Sequence, residues 1–323
     1  MIPNKLKMSE NILTLKISED FFMFRGGIEM GEVPPSYCNT FLLRDEDMLV
    51  LYDTSAFEDI RREMLKVIKK YEDACTRFYL IIGHADPDHV LNNDVINAVE
   101  IREKHFLVHE AAFGGPYAGF LEGAKPLVDS ERETVTIGDT TLQGWKLGNI
   151  YLIHDGAHVP EHLCLYDKKR KALLVGDLTV EANPMMNSKT SGLIKYCDKF
   201  SRMAEGGYIE IVGDGHHSRD AYEQAFRKYN VSPFTQLQIS DYIRGKDAII
   251  EFFQGFSGYY REIRDTILNI HKNLGRVTIE EIVGVLRKSD SKAIQMKLKL
   301  EAPRFLSWIE ISIASVLGEA GIQ

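Results

Sequence analysis

Arg77-Phe-Tyr-Leu-Ile-Ile82 runs directly into Gly83-His84-Ala-Asp86-Pro-Asp88-His89. The first half is a continuous apolar run of strand length, the pattern of a strand buried on both faces. The second half sets four potential metal ligands, His84, Asp86, Asp88 and His89, just past that strand. A buried strand holds its own end rigidly, so imidazoles and carboxylates placed there converge on a divalent ion. The pattern recurs downstream. His154-Asp-Gly-Ala-His158-Val-Pro-Glu-His162 follows an apolar run at 150–153, Gly176-Asp177 follows one at 172–175, and Gly213-Asp214-Gly-His216-His217 follows one at 208–212. Seven of the ten histidines lie in these segments. Each segment taken singly has a blander reading, since Asp-Pro-Asp-His also makes a turn with an Asx cap. Four of them in series, each after an apolar strand, point to a metal centre. A shared carboxylate in such a set can bridge two ions about 3.5–4 Å apart.

The order HxDxDH, then His, then Gly-Asp, then Gly-His resembles the metallo-β-lactamase superfamily, whose usual motif is HxHxDH, over about residues 12–218. The early pair Asn39-Thr-Phe-Leu-Leu43 and Leu49-Val-Leu-Tyr-Asp-Thr54 is similar to that fold's first hairpin. The resemblance implies a four-layer αββα sandwich and a dinuclear metallohydrolase. It implies His84, Asp86 and His158 on a first ion, Asp88, His89 and His216 on a second, and Asp177 as the bridge. Asp88 would also orient the hydroxide between the ions, and His162 and His217 would stand behind the ligands or face substrate. His217 competes with His216 for the ligand position, and the family's Gly-His-Gly pattern selects His216.

Two departures qualify the chemistry. Asp86 stands where the family usually has histidine, and Gly156-Ala-His158-Val-Pro-Glu161 replaces its usual PGHTPG. Both resemble the flavodiiron branch. An extra oxygen ligand hardens the site and favours iron or manganese over zinc. The reading is therefore a hydrolase opening an ester, thioester, lactone, amide or phosphodiester. Its alternative is a diiron protein that reduces dioxygen or nitric oxide, or senses oxygen, with a separate electron donor. No flavodoxin-like segment and no CxxC pair is present to supply electrons. A binding module with a degenerate site is disfavoured, because every ligand position keeps a metal-competent side chain.

Working outward, Cys38–Arg44 and Met48–Asp53 read as a hairpin around Asp45-Glu46-Asp47. Residues 56–72 place Phe57, Ile60, Met64, Val67, Ile68 and Tyr71 on one helical face, with Ser55 and Glu58 spaced as a capping box. Further strands are expected at 105–109, 134–137 and 162–166, besides those named above. From about Arg219 the texture turns helical, at 219–229, 241–274 and 278–287, so 1–218 is read as the metal-binding domain and 219–323 as a helical appendage. Thr278 and Glu281 form a second capping box, and Gly255 and Gly258 are expected to break 241–274 in two. Phe252, Phe253, Tyr259 and Tyr260 either wall the pocket or form the appendage's own core or a homodimer face. Arg261 and Arg264 read as solvent-facing, with an anchor for an anionic substrate as the alternative, and Arg287-Lys288 and Lys297-Leu-Lys299 read as solvated helix faces. His109 and His154 read as packing residues or as supports behind the ligands, and His105 and His271 as surface ones.

The 323 residues carry a net charge of −8, with residues 219–323 at +2 and the rest at −10. Acidity and the lack of a basic run disfavour nucleic acid as a partner and leave a small-molecule substrate. No apolar run of membrane-spanning length occurs, and the N-terminus has no apolar signal core. Cys38, Cys75, Cys164 and Cys197 are scattered, which suits a reducing cytoplasm, and Cys38 and Cys164 read as small core residues.

Overall fold

A computed structural model of the chain describes residues 12–30, 33–180, 183–185, 187–216, 241–275, 277–299 and 308–322. Its strands form two seven-stranded sheets, each in simple chain order. The first holds β1 (Leu13–Ser18), β2 (Phe21–Met30), β3 (Val33–Asp45), β4 (Met48–Tyr52), β5 (Arg77–Ile81), β6 (Glu103–His109) and β7 (Lys125–Leu127). The second holds β8 (Glu133–Ile137), β9 (Thr140–Leu147), β10 (Ile150–His154), β11 (Leu163–Asp167), β12 (Ala172–Leu174), β13 (Ile211–Gly213) and β14 (Ile243–Arg244). Pairing is antiparallel from β1 to β4 and parallel from β4 to β7. In the second sheet only β12 and β13 run parallel.

The period-two alternation of the strands builds the layers. Met48, Val50 and Tyr52 of β4, with Tyr79 and Ile81 of β5, face Leu163 and Leu165 of β11 across the space between the sheets. Leu49, Leu51, Phe78 and Leu80 point the other way, onto α1 (Glu58–Ile68). Cys164 and Tyr166 turn outward from the second sheet onto α4 (Thr190–Glu205) and α5 (Lys246–Leu274). Buried on both faces, β4 and β5 from Phe78 onward must be apolar, which is why their sequences read so clearly. The result is the four-layer αββα sandwich, extended by α6 (Ile279–Leu286), α7 (Lys292–Lys299) and α8 (Trp308–Glu319). The short helices α2 (Pro87–Val90) and α3 (Val95–Ala98) lie between β5 and β6.

Several expectations change. Ser55 does not cap α1: it sits at φ 61°, and Phe57 occupies the N-cap with no side-chain hydrogen bond. α5 runs unbroken through Gly255 and Gly258, because Phe252, Phe253, Phe256, Tyr259 and Tyr260 bury one continuous face in the core shared with α4. Those aromatics are therefore intrachain core, not a pocket wall. Lys297 is fully buried, not solvated. The Thr278–Glu281 capping box is present. Arg261 pairs with Asp198 and Arg264 with Asp265 at the surface. The structure adds β1, β2, β7, β9, β14, α2, α3, α4, α7 and α8 to the elements legible in sequence, and the expected helix at 219–229 lies outside the described residues. No described helix is long and apolar enough to cross a membrane.

Candidate metal centre

The loops after β5, β10, β12 and β13 meet at one edge of the sandwich, where two glycines let them approach. Gly83 lies so close to Tyr52 that a Cβ would stand 2.5 Å from its hydroxyl, and Gly83 O accepts from Leu163 N–H at 2.8 Å. That contact ties the first sheet's loop to the second sheet. A Cβ on Gly215 would collide with the Asp177 carboxylate, so only glycine lets the His216 loop lie beside it.

The edge brings all seven proposed ligands together. His84 Nε2 lies 3.5 Å from Asp86 Oδ2 and 3.6 Å from Asp177 Oδ2, and His158 Nε2 lies 3.9 and 3.8 Å from the same two oxygens. On the other side, His89 Nε2 is 3.3 Å from Asp177 Oδ1 and 3.7 Å from Asp88 Oδ2. His216 Nε2 is 3.0 Å from Asp177 Oδ2 and 3.5 Å from Asp88 Oδ2. The Asp177 carboxylate thus stands between two triads. His84, His89, His158 and Asp177 are buried, whereas the Asp86 and Asp88 side chains are 35% and 40% exposed and mark the open side.

A metal fits this donor set on a direct observation. His84 Nε2, His89 Nε2, His158 Nε2 and Asp177 Oδ1 are buried and, among the described residues, have no hydrogen-bond partner. Orphaned buried polar atoms are costly, and four of them facing one another are satisfied together by cations. Residues behind them aim the rings. His89 donates through Nδ1 to Asp53 Oδ2 at 2.8 Å, which leaves Nε2 free to ligate, and Asp53 Oδ1 accepts from Gly83 N–H at 2.7 Å. His158 donates through Nδ1 to Asn183 Oδ1 at 2.9 Å. His162 is fully buried behind Asp177: its Nε2 accepts from Asp177 N–H at 3.1 Å, and its Nδ1 donates to Asp155 at 2.6 Å. It positions the Asp177 backbone and is out of reach of the open side. His217 lies outside the described residues. Asp53, Asp155 and Asn183 were not singled out from sequence; the only local signal was that Asp53 ends an apolar strand.

The cluster is electrostatically tense. Burial by itself lowers His216, but Asp177 and Asp88 outweigh it and push the imidazole up to about 10. Burial likewise lowers His89 and His158, and facing carboxylates raise both above their ordinary value. Burial lowers His84, and nearby His89 adds to the effect. Burial raises Asp177, yet His216, His89 and His84 together hold it well below the usual carboxylate range. Without cations the cluster keeps protons as its counter-charge, and metals compete with them.

Two neighbouring groups are self-contained. Cys38 donates its thiol to Asp88 O at 2.8 Å, and burial pushes it well above the ordinary thiol value. Beside β10, His109 donates to Asp129 at 2.8 Å, while Arg132 donates to His154 Nδ1 at 2.7 Å. With an arginine already inside, that cluster is a hydrogen-bonded network.

The chain is 22% identical to the acyl-coenzyme A thioesterase MBLAC2 of Bos taurus over 223 residues, covering 67% of this chain and 76% of that protein. The same enzyme of Homo sapiens is 22% identical over 228 residues with the same coverage. In fold, the chain is similar to a double mutant of the sec-alkyl sulfatase PisA1, with TM-score 0.59 and 12% identity over 95% of this chain. It spans half the length of that sulfatase. It is also similar to the DIM-1 metallo-β-lactamase, with TM-score 0.51 and 12% identity over 79% of this chain and 99% of that one. Residues 33–226 match the family profile outright, and the chain belongs to the metallo-β-lactamase superfamily.

Proposed function

We propose that this chain is a dinuclear metal-dependent hydrolase that cleaves an acyl thioester. The observation that carries the reading is Asp177, whose carboxylate stands between the triad His84, Asp86, His158 and the triad Asp88, His89, His216. In this reading the first triad would hold one ion, the second would hold another, and Asp177 would be shared. When bound, such a pair supplies a hydroxide nucleophile at neutral pH and a Lewis acid for a carbonyl oxygen. Asp88 faces the open side and orients the attacking water through a hydrogen bond. Asp53, Asn183 and His162 hold His89, His158 and the Asp177 backbone at their angles. Water and thioester give a carboxylic acid and a free thiol. The thioester is preferred over an ester, lactone or phosphodiester because the curated relatives are acyl-coenzyme A thioesterases that share two thirds of this chain.

Three carboxylates and four imidazoles make a hard donor set, which favours iron or manganese over zinc. The same feature supports the second reading, a diiron protein handling dioxygen or nitric oxide with an external electron donor. One set of measurements separates them: metal analysis of protein purified without added metal, and thiol release from an acyl-coenzyme A. Two divalent ions with steady thiol release support the hydrolase. Two irons with a visible band that changes on reduction, and no thiol release, support the redox protein. Asp177→Ala is expected to lose at least one ion per chain and to slow turnover at least a hundredfold, the scale on which ligand-shell changes act. Full metal content in that variant would contradict the bridging role.

A further inference from the structure

Lys297 of α7 is a long cation with no exposed surface, and its ammonium donates to Asn183 O at 2.8 Å. Asn183 is itself fully buried and touches the candidate centre twice. Its Oδ1 accepts from His158 Nδ1 at 2.9 Å, and its Nδ2 donates to Asp177 O at 2.7 Å. The surrounding segment is held from the same side. Ser312 of α8 donates to Pro184 O at 2.7 Å, and Ser315 donates to Ser188 O at 3.0 Å. Ser188 in turn donates to His158 O at 2.8 Å.

We propose that Lys297 is a positioning residue for the metal centre, acting through Asn183 on the His158 ring. The C-terminal helices are then part of the metal-binding machinery. The inference rests on the dinuclear reading of the site. Its logic is that of ligand orientation: an imidazole ligates well only when the group on its other nitrogen fixes the ring. Without the ammonium, a buried carbonyl loses its donor and the Asn183 peptide is free to turn. His158 is a ligand of the first ion only, and no second-ion histidine contacts Asn183 in the described structure. Asn183 holds Asp177 by its backbone oxygen and not by the shared carboxylate, so the larger loss falls on the first ion, whereas a loosened core would weaken both alike.

The test is calorimetric titration of Mn2+ into chelated protein, in backgrounds that keep one ion at a time. His89→Ala leaves the first site and His84→Ala the second. Lys297→Met is expected to weaken the first site about tenfold to a hundredfold and leave the second near its starting affinity. Lys297→Gln, which keeps an N–H donor, should restore most of the loss. Lys297→Met combined with Asn183→Ala should be no weaker than Asn183→Ala alone, because the two act in series. Unchanged first-site affinity, equal losses at both sites, or an additive double variant would overturn the proposal. If Lys297→Met does not fold, the paired variant Ser312→Ala with Ser315→Ala probes the same clamp. A loss confined to the first site supports it, and unaltered affinity refutes it. A wild-type chain that takes up no divalent ion would refute the metal centre itself, a result distinct from a wild type that loads normally beside an unaffected Lys297→Met.

Discussion

His216 and Asp177 stand 3.0 Å apart, close enough for each to set the other's charge. His216 moves from an ordinary value of 6.5 to about 10 in the fold. Its charged form therefore stabilises the metal-free protein fully below pH 6.5, and that stability is lost as pH rises through about 10. Thermal unfolding of chelated protein should show a falling midpoint across that interval. A midpoint that rises instead would mean that His216 is not paired with Asp177 without metal. At this scale the sequence was most informative about the seven candidate ligands. Each lies just past an apolar strand, and strand ends announce themselves. The groups behind them were not legible. Asn183 is 25 residues from His158 and Asp53 is 36 from His89. Only the folded chain makes either pair neighbours.

Among the elements, β4 and β5 were legible because double burial demands unbroken apolar runs, and α1 because its inner face repeats every three or four residues. Local rules failed where tertiary contacts outweighed them. Ser55 and Glu58 have the spacing of a cap, but the turn after β4 places Asp53 and Ser55 at φ 62° and 61°. That turn delivers the Asp53 carboxylate to Gly83 N–H and His89. Glycine rules failed in α5 for a similar reason: a face buried from Ile249 to Ile267, aromatic between Phe252 and Tyr260, outweighs the cost of a glycine in the helix, about 1 kcal/mol. Gly258 is exposed, and a Cβ there would meet no atom within 4 Å. Gly258→Ala should therefore stabilise the chain by about 0.4–1 kcal/mol in denaturant unfolding. A destabilised variant would argue that the helix bends or opens at that point.

For the molecule as a whole, the centre is a seam. His84, Asp86, Asp88 and His89 come from the first sheet's edge, and His158, Asp177 and His216 from the second's. Metals that bind only the folded chain stabilise it by mass action, about 2.7 kcal/mol at a free concentration a hundred times the Kd. Because the ions would join both sheets, chelation should lower one shared calorimetric transition. A metal-independent midpoint would mean that no ion binds the folded chain in preference to the unfolded one. From the sequence alone the candidate ligands could be placed after their apolar strands, since double burial writes apolar runs and metal chemistry restricts the residue types at their ends, whereas β1, β2, β7, β9 and β14 could not be read. Which groups aim the candidate ligands, the continuity of α5 and the burial of Lys297 against Asn183 were set by the fold. Those outcomes depend on contacts between segments distant along the chain, where local propensity carries no information and packing against neighbours sets the conformation.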